Sequence, residues 1–238
     1  MTVQELLSAR FPSTVAEVLG LMQALERALP RDDGVVFFLR LYRAVTEAVD
    51  DVVRPGGEYA DPRFCRWLDV VFANSFFRAL RDATQRRPGV PKAWEPLIEA
   101  RSRPGVVPIQ FALAGMNTHI EHDLALAVVR TCEARGSTPD DPTVLADFFR
   151  INEVLAAVEA DIRRSFLDEI GQAVDDELGP VAHLVSSWSI EKARDVALLH
   201  ARTIWELRRT TLLQGAYLTG LGHTVGMGTR LLLTPVGP

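Results

Sequence analysis

The chain of 238 residues contains only two cysteines, Cys65 and Cys132. That excludes a disulfide framework and a cysteine-based zinc cluster, and it makes a reducing, cytoplasmic setting the expectation. No excess of basic charge is present either: 26 Lys and Arg stand against 31 Asp and Glu, for a formal net charge of −5. A nucleic-acid binder usually carries a basic face, so no nucleic-acid partner is expected. The N-terminus lacks the apolar core of a secretory signal. No glycine-rich phosphate loop, Gly-x-Ser-x-Gly elbow, Cys-x-x-Cys pair or dinucleotide fingerprint occurs. Nucleotide-dependent, serine-hydrolase and thiol-redox chemistry are thereby disfavoured. The longest stretch without formal charge, Thr211 to Thr229, carries five glycines together with His223 and Gln214. It is too polar to read as a membrane span.

What is present is helix punctuation. Thr2-x-x-Glu5 and Thr14-x-x-Glu17 have capping-box form, and Asp61-Pro62 and Asp141-Pro142 set a capping acid before a first-turn proline. Ser189 can cap a segment starting at Ile190. Between these marks apolar residues recur at three and four, as in Phe64, Leu68, Val71, Phe72, Phe76 and Leu80. Period-two alternation bounded by turns is not found, so no strands are expected. The spacing predicts helices over 3–10, 15–29, 34–53, 62–86, 95–102, 108–134, 143–177 with a bend at Gly171, 190–213, and part of 214–233. The expected architecture is all-α, one domain over 1–238: a multi-helix bundle around a buried central helix, with a Gly-rich C-terminal segment at 214–238.

The central helix is the informative one. Ile109 to Val129 is apolar on every side, which calls for burial, yet its middle carries Asn117, His119, Glu121, His122 and Asp123. Burying such groups costs kilocalories unless each is bonded, paired or bound to metal. At about 100° per residue, His119 and Asp123 share a face and His122 lies beside them. Asn117 and Glu121 form a second polar pair, and Gly115 leaves room above His119 for a ligand or a close helix. Three readings compete. Asp123 could orient His119 for general acid–base work, with His122 as a second proton-transfer group. The trio could bind iron or zinc, with His200 or a remote acid completing the shell, for hydrolysis or oxygenation. Or the cluster could be a satisfied buried network in a non-catalytic binding or interaction module. The first is preferred: an enzyme without cofactor, performing cyclisation, isomerisation or elimination on a small, largely apolar metabolite, a chemistry that suits secondary metabolism. Tyr42, Asn152 and Trp205, with Asn117 and Glu121, are the expected substrate contacts. Thr46 and Trp188 could line the same cavity, and Asn74 and Glu153 could add polar groups to it. His183 and Asp175-Asp176-Glu177 read as peripheral. The Gly-rich tail could close the pocket or dock a second copy as a homodimer.

Four runs carry a family resemblance: Asp33-Gly34-Val35 with Leu41 to Thr46; Asp61 to Phe64 with Leu68 to Asn74; Phe111 to Leu124; and Trp188-Ser189 with Ala193-Arg194 and Trp205. On these the chain resembles a mostly actinobacterial family known as domain of unknown function 5995. The family's pattern in the third run is Asn-Ala-His-Ile-Asn-x-Asp-Leu, from which Thr118 and Glu121 depart. The resemblance implies that Asn117 to Asp123 is the family signature and that this member has a specialised task. It implies no activity.

Overall fold

The computed structural model describes residues 1–54, 56–172 and 188–235, with the side chains of residues 162, 163 and 165–172 excepted. Every regular element among the described residues is helical: α1 (Val3–Ser8), α2 (Val15–Ala28), α3 (Gly34–Val52), α4 (Pro62–Thr84), α5 (Glu95–Ala100), α6 (Pro108–Thr118), a π-helical turn (His119–Leu124), α7 (Ala125–Arg135), α8 (Pro142–Gln172), α9 (Ile190–Leu207) and α10 (Thr211–Leu232). The protein is an all-α multi-helix bundle. The segment from α6 through the π turn to α7 runs through its middle, with α3, α4, α9 and α10 packed around it.

The expected caps set the helix starts. Thr2 and Glu5 exchange hydrogen bonds at 2.9 and 3.2 Å, a full capping box. At α2 only half the box forms: Thr14 accepts from Glu17 N, but the Glu17 carboxylate turns outward to Ser13 N at 2.7 Å. Asp61 caps α4 through Phe64 N, and Ser189 caps α9 through Lys192 N. Asp33 caps α3 through Val35 N and also receives the Arg101 guanidinium, which binds the loop after α5 to the start of α3.

Two boundaries differ from the periodicity. The expected helix 190–213 stops at Leu207, and a turn at 208–210 leads into a full helix, α10. Arg208 stacks over Trp205 at 4.1 Å and donates to its carbonyl at 2.6 Å, satisfying an acceptor that another helical turn would have used. The central helix also contains a π turn rather than continuous α-helix. Helix 142–172 runs through Gly171; the rest of that expected helix, with His183 and Asp175 to Glu177, lies outside the described residues.

One glycine of α10 is required by packing. A Cβ on Gly226 would lie 2.6 Å from the Lys92 carbonyl oxygen, so only glycine lets α10 approach that backbone. Gln110 Nε2 donates to the carbonyls of Leu232 and Thr234, and the Thr118 and Thr229 hydroxyls bond at 2.6 Å. No helix among the described residues is long and apolar enough to cross a membrane.

Candidate active site

Buried polarity concentrates at the π turn. His119, His122 and Asp123 are 0%, 7% and 1% exposed, so each polar atom needs a partner. Asp123 supplies most of them. Its Oδ2 lies 3.0 Å from His119 Nδ1 and 3.0 Å from Trp94 Nε1, and its Oδ1 lies 2.7 Å from His122 Nδ1. An ionised carboxylate only accepts, so all three nitrogens donate. Burial alone would raise the Asp123 pKa, but the hydrogen bonds from His119 and His122 outweigh it and hold it down at about 2. Burial also lowers the pKa of His119, partly countered by Asp123. The resting state is therefore an ionised Asp123 with His119 as a neutral Nδ1–H imidazole.

That tautomer leaves His119 Nε2 with a lone pair. Among the described residues this buried atom has no hydrogen-bond partner. The ring is fixed by stacking on Phe72, 3.6 Å between centroids at 6°, and by the edge of Tyr42 at 4.4 Å. His119 lines a cavity of about 60 Å³ enclosed by α3, α4, the π turn, α8 and α9. Leu68, Ile120 and Leu155 make its wall mainly apolar. Its polar groups are Tyr42, Thr46, Asp69 and Arg194. Among the described residues the buried Tyr42 and Thr46 hydroxyls and Asp69 Oδ2, like His119 Nε2, have no hydrogen-bond partner. Asp69 is pushed up to about 7, first by burial and then by the neighbouring Asp50 charge. Burial, then the Asp69 and Asp123 charges, keep Tyr42 well above its ordinary value, so it remains a phenol.

The π turn contributes to this geometry. A π-helical insertion widens one turn of a helix and is frequent at functional sites. Here it lets Asp123 receive both His119, four residues before it, and His122, its chain neighbour. The helix is brought close to α3 by Gly115, whose missing Cβ leaves room for the Phe38 ring. The space above His119 is thus taken by α3 rather than by a ligand.

The residues expected to form the site separate into two groups. His119, Asp123 and Tyr42 come together as expected. His122 joins Asp123 but does not line the cavity, so it holds the second carboxylate oxygen and has no direct path to a ligand there. Asn152 also stands behind the wall, accepting from Arg194 Nε at 2.6 Å. Asn117 faces α10 near Gly228, and no hydrogen bond joins it to Glu121 among the described residues. Neither Asn117, Glu121 nor Trp205 lines the cavity; Trp205 instead packs under Arg208. Asn74 donates to the Pro12 carbonyl, away from the site. The four-residue metal set is not assembled: His200 bonds the Tyr217 hydroxyl at 2.7 Å, tying α9 to α10. Among the described residues, no three His, Cys, Asp or Glu side chains are grouped to hold a metal ion.

Trp94, Asp69 and Arg194 were missed as site residues. Trp94 reaches Asp123 from the turn before α5, a contact across 29 residues that no local spacing reveals. Asp69 lies on the same α4 face as Cys65, Phe72 and Phe76, and its polarity in that apolar row was the available signal.

Fold and site together define an all-α protein with a buried imidazole–carboxylate–imidazole cluster at the edge of a small cavity. The chain belongs to the family described as "Family of unknown function (DUF5995)", which matches residues 15–235. No curated protein and no solved structure matches it.

Proposed function

We propose that the protein is an enzyme that moves protons on a small, largely apolar metabolite, with His119 as the acid–base group. The observation that carries this reading is the unpartnered Nε2 of His119, buried in the cavity wall while Nδ1 is held by Asp123. A satisfied structural histidine uses both nitrogens; this one keeps one in reserve. The arrangement has the logic of a base–orienter pair, in which the carboxylate fixes the tautomer and stabilises the imidazolium that forms.

His119 Nε2 takes a proton from the substrate, and the imidazolium that forms is balanced by the Asp123 carboxylate, itself steadied by Trp94 and His122. Asp69, with its pKa raised to about 7, or the Tyr42 phenol, returns a proton elsewhere on the substrate. A base and an acid pushed apart in one cavity suit isomerisation, elimination or cyclisation, none of which needs an external oxidant. The cavity volume of about 60 Å³ is well below the ~300 Å³ of a drug-sized pocket, so the group reaching His119 has few non-hydrogen atoms.

The test is hydrogen exchange. A small-metabolite extract incubated in D₂O with the protein should gain deuterium in one metabolite or convert it to an isomer or elimination product. The His119→Gln variant should do neither. A metabolite transformed equally by both proteins would contradict the role given to His119.

A further inference from the structure

Arg194 of α9 stands in the cavity wall and is 6% exposed. Its Nε donates to Asn152 Oδ1 at 2.6 Å and its Nη2 to the Phe148 carbonyl at 2.7 Å, while the guanidinium lies 4.1 Å over the Phe148 ring. All of these partners are uncharged. Among the described residues no carboxylate is in ion-pair contact with it. Burial draws its pKa down to about 10, which still leaves it charged near neutrality.

A buried cation with no carboxylate in direct contact is expensive, and Arg is the residue suited to gripping a planar anion. Two of the five guanidinium N–H groups are spent on Asn152 and Phe148. What remains is Nη1 and the second hydrogen of Nη2, the pair that can hold a carboxylate in a fork. Asn152 and Phe148, both on α8, fix the plane of the fork.

We infer that the substrate carries a carboxylate, held by the free edge of the Arg194 guanidinium, with its apolar body lying along Leu68, Ile120 and Leu155 toward His119. This deepens the acid–base reading and rests on it for the role of His119, but the anion site is measurable without turnover. The small cavity and single cation fit a monoanionic carboxylate better than a bulkier, doubly charged phosphate. The site would thus act on short carboxylic acids, and the carboxylate would set the distance between the reacting carbon and His119 Nε2.

The experiment compares isosteres on the full chain. Butanoate and benzoate are titrated against butanamide and benzamide, following the Arg194 Nε–H and Trp94 indole N–H resonances. At least one acid should bind saturably and about tenfold or more tighter than its amide, as expected for a charge-assisted pair. Arg194→Lys should lose about tenfold and Arg194→Met should lose the preference for acid over amide. His119→Gln should keep that preference, which separates this inference from the acid–base reading. Equal binding of acids and amides by the wild-type protein would overturn it, and so would no Arg194 response to either acid up to about 0.1 M. Those wild-type outcomes stand whether or not the Arg194 variants fold.

Discussion

Replacing Asp123 by Asn tests the centre of the cluster. The carboxylate accepts three hydrogen bonds, two on Oδ2 and one on Oδ1. An amide has one acceptor oxygen. If that oxygen keeps Trp94 and His119, the amide NH₂ faces the Nδ1–H of His122, and donor meets donor. Hydrogen bonds to charged groups contribute about 1.5–3 kcal/mol each, while removal of a buried charge returns part of the loss. The net expectation is a loss of about 3 kcal/mol near pH 7. The pH dependence supplies a second handle. Asp123 sits at about 2 against an ordinary value of 3.8, so the folded state is favoured whenever the unfolded carboxylate is ionised. That contribution, about 2 kcal/mol at 1.36 kcal/mol per pH unit, is complete above pH ~5 and is lost as pH falls toward 2. Asn cannot titrate. Urea denaturation of both proteins at pH 7 and at pH 3 should therefore show the gap narrowing as the acid side is entered. An Asn variant as stable as wild type at pH 7, or a gap independent of pH, would refute the ionised three-bond carboxylate.

Asp69 has the opposite sign. Its folded pKa of about 7 lies above the unfolded value of 3.8, so its cost is absent below pH ~4, grows up to pH ~7 and is constant beyond. The full shift corresponds to about 4 kcal/mol, and its partial exposure reduces this to about 2 kcal/mol. Asp69→Asn should raise the urea midpoint at pH 8 and leave it unchanged at pH 4; an equal effect at both would remove the raised acid. Gly115→Ala should cost about 2–4 kcal/mol by thermal melt, because its methyl would overlap Phe38, itself held by Tyr42, Phe76 and Trp94. A neutral substitution would show that α3 and α6 are not in close contact. Burial raises the thiols of Cys65 and Cys132 to about 12 and about 11, so neither should react with a disulfide reagent at pH 8 before unfolding.

Much of the fold was legible because helix starts are local. Asp61-Pro62, Ser189 and Thr2 with Glu5 carry their capping chemistry within three residues, and the structure uses all of them. The stop at Leu207 was not legible, because no glycine or proline marks it and the side chain of Arg208 does the work. The cluster was half legible. Four-residue spacing paired His119 with Asp123, but a uniform 100° per residue could not foresee a π turn, and so could not say that His122 would sit behind the carboxylate. Asn117 and Glu121 stand away from the cavity because polarity on a buried helix does not say which neighbouring helix it meets. Trp94 and Arg194 reach the site from elsewhere in the chain, and only tertiary packing brings them there.

The proposed proton transfer depends on one nitrogen. The ¹⁵N chemical shifts of the His119 ring, measured by NMR on the uniformly labelled protein at pH 7, report which nitrogen carries the proton. The predicted result is a protonated Nδ1 and a bare Nε2, persisting below pH 6.5 because burial lowers the His119 pKa. A proton on Nε2 at pH 7, whether in the other tautomer or in an imidazolium, would contradict it.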